Sequence, residues 1–131
     1  MEFNIKPATK GHQEIIVQPE DTALKYGSGL IEVFATPAMI GLMEKTAQLS
    51  VQEQLPPGFI TLGTEISVKH VKASLVGMKV HCTTELLSVD GKKLVFKISA
   101  SDEAGLIGEG THHRYIVETE RFIEKLKQSA K

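Results

Sequence analysis

The chain has 131 residues, 41% hydrophobic and 24% charged, which at the usual ~100–200 residues per domain predicts one domain over 1–131 and excludes the apolar-poor profile of a disordered chain. Fifteen Lys+Arg against sixteen Asp+Glu, with no Trp, lack the basic footprint of a nucleic-acid partner. One cysteine cannot close an internal disulfide, and Met1-Glu2-Phe3-Asn4-Ile5-Lys6 has no secretory pattern, so a cytoplasmic protein is expected.

In chain order, Ile15-Ile16-Val17 is a β-branched run ended by Pro19 and reads as a strand near a sheet edge. From Pro19 to Ala35 no period is sustained; a connecting loop is expected, with a helical turn at Thr22–Tyr26 and a length that suits a lid. Thr36-Pro37 predicts a helix start, with Thr36 as cap and proline at the first helical position. The helix runs to about Gln54, where Leu55-Pro56-Pro57-Gly58 stops it. Its stripe is Ile40, Met43, Ala47 and Val51, with Met39, Leu42 and Leu49 on other sides, so it should be mostly wrapped. The charge-free stretch Val33 to Met43 holds a proline and falls far short of the ~20 apolar residues of a membrane span, and no membrane partner is expected.

After Gly58 the period changes from 3.6 to 2. Leu62, Thr64, Ile66, Val68 and His70 alternate with Glu65, Ser67 and Lys69, which predicts a strand with His70 on its apolar face. Met78, Val80, Cys82, Thr84 and Leu86 form a second such face, and Leu94, Phe96, Ile98 and Ala100 a third. Asp90-Gly91 between them predicts a hairpin with a type I′ turn. A last strand is expected over Leu106–Val117 with bulges at Gly108 and Gly110, then a short helix over Glu120–Lys127. One long apolar helix followed by an antiparallel meander is an α+β arrangement in which a curved sheet wraps a central helix, the hot dog fold.

No Walker loop, G-x-G-x-x-G or G-x-S-x-G is present. His112 and His113 are consecutive in a strand and point to opposite faces, so no metal site is expected, and Cys82 reads as a buried structural thiol. Three residues invite a chemical reading. Glu44 falls about 40° from Ile40 on the helical wheel and abuts the apolar stripe. His70 lies on an apolar strand face, and Thr36 opens the helix. Each also has an ordinary reading: a carboxylate bent to solvent or paired with lysine, a satisfied core histidine, and a cap.

The text around these residues resembles a known family. Val33-Phe34-Ala35-Thr36-Pro37-Ala38-Met39-Ile40-Gly41-Leu42-Met43-Glu44, then Leu62-Gly63-Thr64 with His70, then Gly110-Thr111-His112-His113-Arg114, in this order and over roughly Gly11 to Phe122, resemble the fluoroacetyl-CoA thioesterase-like branch of the hot dog superfamily. The resemblance implies an acyl-CoA thioesterase with Thr36, Glu44 and His70 as catalytic set, Gly63 and Arg114 lining the site, no cofactor beyond the CoA thioester substrate, and a homodimer or dimer of dimers. This chain has His113 where the family more often carries an acidic residue. No aromatic lid is located within Tyr26–Phe34, so fluoroacetyl specificity is not implied.

The residue types suit the chemistry. Thioester hydrolysis needs a nucleophile or activated water, a proton carrier and donors toward the oxyanion. Glu44 can attack or deprotonate water, His70 can move protons, Thr36 can position substrate beside the helix N-terminus, and Gly63 lets backbone approach the thioester. Two rivals share the fold: a non-catalytic acyl-CoA binding module, independent of Glu44 and His70, and a hydratase, for which the paired Asp and His on a catalytic helix are missing. Thr36 and Glu44 are eight residues apart on one helix, ~12 Å along its axis, so a shared site is expected to be composite across a twofold dimer.

Overall fold

The computed structural model describes residues 2–130. Five strands, β1 (Lys10–Ile16), β2 (Phe59–His70), β3 (Lys79–Asp90), β4 (Lys93–Asp102) and β5 (Gly105–Glu118), form one antiparallel sheet in the order β1-β3-β4-β5-β2. The helices are α1 (Ala23–Tyr26), α2 (Thr36–Gln52) and α3 (Thr119–Ser129). Among the described residues, no helix is long and apolar enough to cross a membrane.

The expected α+β arrangement is observed: α2 lies against β1, β2, β3 and β4. Met39, Met43, Ala47 and Val51 of α2 are fully buried against Val80 and Cys82 of β3, Leu94, Phe96 and Ile98 of β4, and Ile107 and Ile116 of β5. Burying each large apolar side chain contributes about 1.5–3 kcal/mol, an upper figure because the unfolded chain is itself partly collapsed. Met39 rather than Ile40 heads the buried stripe, and Leu49 is exposed. Burial raises the pKa of the Cys82 thiol, with a hydrogen bond to Thr46 acting the other way, as suits a structural cysteine.

The helix start differs from expectation. Ala35, in extended conformation, occupies the cap position and Thr36 is already the first helical residue. Its hydroxyl is thereby released from capping. The segment before it is a folded flap: Thr22 caps α1 by accepting from the Lys25 amide, and bridges link Thr22 to Phe34 and Val33 to Leu75.

Sheet parity also departs from simple alternation. β3 and β4 bury Val80, Cys82, Thr84, Leu86 and Leu94, Phe96, Ile98, Ala100 as expected. In β2 the pairing passes from Gly63↔Arg114 to Glu65↔His113, leaving Thr64 as a bulge. Before it Thr61 and Gly63 face the helix; after it Ile66, Val68 and His70 do. Leu62 and Thr64 therefore do not share His70's face. In β5 the ladder with β4 shifts beside Gly108, with Ile107 the extra residue, and runs unshifted past Gly110. These glycines serve close approach: a Cβ on Gly108 would lie 2.6 Å from the Met39 sulfur. The β3–β4 turn uses Gly91-Lys92 with Asp90 paired to Lys93. Only Gly91 of the two has positive φ (61°), which fits a II′ rather than an I′ turn.

Gly110→Ala tests this packing. Its Cβ would run into the Ser67 carbonyl and Val68 backbone of the neighbouring strand, so the β2–β5 ladder must open. A loss of about 3 kcal/mol or more in urea unfolding is expected; a loss under about 1 kcal/mol would show that the strands separate freely.

Candidate active site

The bulge in β2 gathers one half of the site. With no side chain on Gly63, the middle of α2 comes down onto the sheet there. A Cβ at Gly63 would lie 2.9 Å from Glu44 Oε2, 3.1 Å from His112 Cε1 and 3.4 Å from Arg114 Nη1. Glu44 is half-buried, whereas Arg114 is only 6% exposed. The guanidinium is held by β2: Nε donates to Thr61 Oγ1 at 2.7 Å and Nη2 to the Thr61 carbonyl at 2.8 Å. Nη1 lies 3.1 Å from His112 Nε2. Because a guanidinium only donates, His112 Nε2 must accept, so its proton sits on Nδ1 and is donated to the Glu65 carbonyl at 2.8 Å.

Burial sets the electrostatics. It lowers the His112 pKa, the Glu65 carbonyl raises it, and the Arg114 charge lowers it again, leaving it below the usual histidine value. Burial also lowers the Arg114 pKa, while the Glu44 carboxylate acts in the opposite direction. His113 points to the other face and stands 3.8 Å from Glu65 Oε2.

The other half lies at the start of α2 and the end of β2. Thr36 Oγ1 and His70 Nδ1 are 2.8 Å apart, and the Phe34 ring meets the imidazole edge-on with centroids 6.4 Å apart. His70 Nε2 is buried and has no partner among the described residues. Burial lowers the His70 pKa, partly offset by a hydrogen bond with the Lys72 backbone, which favours the neutral ring. A cavity of about 430 Å³ opens here, lined by Ala23, Ser28, Val33 and Phe34 of the flap, by Thr36, and by His70 to Ala73.

The chain beyond His70 is anchored by Asp102. Its carboxylate accepts from Lys72 Nζ at 2.6 Å, Ser74 Oγ at 2.8 Å and the Ala104 amide at 2.8 Å. Burial alone would raise its pKa; these donors outweigh it and hold the carboxyl at about 2. Ser74 in turn accepts the Phe34 amide on its carbonyl, tying the flap to the same anchor.

The structure thus brings Glu44, Gly63 and Arg114 together and, separately, Thr36 and His70. Two lining residues lay outside the sequence reading, Thr61 and His112. His112 shares Arg114's face by two-residue spacing, a signal present in the motif; Thr61 was hidden by the bulge.

The chain is similar to known proteins in sequence and in fold. The profile of a family described as fluoroacetyl-CoA-specific thioesterase matches residues 17–120. The fluoroacetyl-CoA thioesterase of Streptantibioticus cattleyicolor is 43% identical over 97 residues, 74% of this chain and 70% of that protein. A solved fluoroacetyl-CoA thioesterase superposes with a TM-score of 0.90 at 35% identity, covering 95% of this chain and 97% of that one. A threonine-to-serine variant in complex with acetyl-CoA superposes equally well, at 0.90 and 34% identity, over 97% and 100% of the two chains. A thioesterase superfamily member from Thermus thermophilus, 24% identical with a TM-score of 0.86 over 96% of each chain, shares the fold. The chain belongs to the fluoroacetyl-CoA-specific thioesterase family and adopts its hot dog fold.

Proposed function

We propose that this protein hydrolyses an acyl-CoA thioester to a carboxylic acid and free CoA, at sites shared between the two subunits of a homodimer. The observation that carries the reading is the division of the site. Each chain holds Glu44 over Gly63, beside Arg114, and Thr36 with His70, along an edge strand of twelve residues, β2, whose outer side has no strand partner in the sheet. A long free edge is a pairing surface. Antiparallel pairing of two β2 strands about a twofold axis near their middle, at about residue 65, sets position 70 opposite about position 60. His70 and Thr36 of one chain then approach Glu44 of the partner subunit.

In that site Glu44 is the group that delivers the acyl carbon to water, by attacking it or by deprotonating the water that does. The C–S bond breaks, and the proton that water loses is carried on Nε2 of His70, which accepts it as a neutral imidazole, to the departing thiolate. Thr36, hydrogen-bonded to Nδ1, aims the ring. Arg114 and the first turn of α2 supply positive potential toward the oxyanion. CoA enters as part of the substrate and no cofactor is needed.

Purified protein is expected to release free thiol from at least one of a panel of short, branched, aromatic and long acyl-CoAs, and Glu44→Ala to lower kcat by ~10² or more. No release from any of them leaves the non-catalytic acyl-CoA binding module as the better reading.

The pH profile carries a second check. A histidine with lowered pKa stays neutral to lower pH, so the acid limb of kcat/KM for wild type should be centred below the usual histidine value of about 6.5. An acid limb centred above 6.5 contradicts a desolvated His70 in the reaction.

Composite sites are tested by co-expressing differently tagged Thr36→Ala and Glu44→Ala chains. A hybrid dimer then holds one doubly damaged and one intact site, so about half of wild-type activity is expected from the two-site count. Hybrids no better than either parent place Thr36 and Glu44 in the same site of one chain.

A further inference from the structure

On the face of the sheet away from α2, three side chains converge without any core to hold them there. His12 and Glu14 are two residues apart on β1 and so share a face; His81 of β3 is paired directly opposite Glu14. His12 Nε2 lies 3.3 Å from His81 Nδ1, and Glu14 Oε1 lies 3.1 Å from that same nitrogen. All three donor atoms fall within 4.8 Å of one another.

Hydrogen bonding serves this geometry poorly, because one proton on His81 Nδ1 reaches both Glu14 and His12 only as a three-centre bond. An imidazole nitrogen offers either one proton or one lone pair in its plane. If His81 Nδ1 donates to Glu14, it has nothing to accept from His12; if it accepts from His12, its lone pair faces the carboxylate. A cation at the shared focus satisfies all three lone pairs at once. The two edges that meet at His81 Nδ1, 3.3 and 3.1 Å, are close to the tetrahedral edges of about 3.3–3.6 Å that metal–ligand lengths of ~2.0–2.2 Å give, and the third lies within 4.8 Å. Lys79 Nζ, 3.9 Å from the other carboxylate oxygen, Oε2, leaves Oε1 turned toward the imidazoles.

We propose that His12, Glu14 and His81 form a binding site for a divalent transition ion of the Zn²⁺ class, with water completing the coordination. Two imidazoles and one carboxylate are a borderline donor set that favours Zn²⁺ over Mg²⁺ or Ca²⁺. The site is distinct from the acyl-CoA cluster, whose histidines, His70 and His112, face α2 from the opposite side of the sheet. Its effect is a clip: it ties the edge strand β1 to β3 across 69 residues of sequence, where the sheet is otherwise free to fray. Cys82, next to His81, points inward and takes no part.

The test uses untagged, chelator-treated full-length protein titrated with ZnCl₂ by calorimetry, with Tm followed in parallel. One saturable equivalent per chain is expected, with a Tm that rises with Zn²⁺ concentration, as for any ligand that binds the native state. The double variant His12→Ala/His81→Ala should bind at least tenfold more weakly and lose the Tm shift, while its thiol release from acyl-CoA in chelated buffer is unchanged. Glu14→Gln, nearly isosteric, should also weaken binding at least tenfold and guards against a folding defect in the double variant. Absence of saturable binding in wild type, or an equivalent retained in the double variant, overturns the proposal.

Discussion

Arg114 carries a charge to a position that is 6% exposed, and much of the site follows from what that burial demands. Desolvating a guanidinium costs several kcal/mol unless its donors are met and a countercharge is near. Thr61 meets two donors through its hydroxyl and its carbonyl, and His112 meets a third. For His112 to accept, its proton must be on the other nitrogen, which the Glu65 carbonyl secures. For Glu44 to supply negative charge from α2, nothing may stand between helix and strand, and Gly63 leaves that space. The bulge at Thr64 joins these requirements, since without it Thr61 and Gly63 would lie on the face opposite His70.

The second cluster rests on a different anchor. Asp102, at the end of β4, holds Lys72 and Ser74, and Ser74 holds Phe34. The turn after His70 and the flap before Thr36 are therefore fixed to one buried carboxylate. The two halves share only α2 and β2, both rigid and too long to fold back on themselves. In the proposed homodimer a reaction that needs all of these groups at one carbonyl would be served by symmetry, which would bring the start of one helix to the middle of the other without either element bending.

Much of this was legible in the sequence where hydrophobic period met no interruption. β3 and β4 bury the alternating residues that their text indicates, and the long helix between Thr36-Pro37 and Pro56-Pro57 stands where its breakers set it. Legibility failed where one residue changes parity. A bulge leaves no mark in composition, so the alternating text groups Leu62 with His70 and leaves out Thr61, while the bulge expected at Gly108 falls on its neighbour Ile107 and Gly110 is paired without a shift, its need being close interstrand contact. Thr-Pro is a common helix start and points to Thr36 as a cap; Ala35 takes that place, and the hydroxyl is free for His70. Long-range register was invisible too: His12 and Glu14 meet His81 only once β1 is paired with β3.

The five histidines show what the pleat decides. Strand parity and two bulges send His70 and His112 to the helix side, where burial lowers both pKa values and so favours the neutral imidazole. The same rules turn His12, His81 and His113 outward, each beside a carboxylate or another imidazole on a neighbouring strand. Desolvation sets the first environment and cross-strand convergence the second, so a one-residue slip in β5 would turn His112 and Arg114 outward together, bring His113 and Tyr115 under α2, and leave Glu44 without a guanidinium beside it.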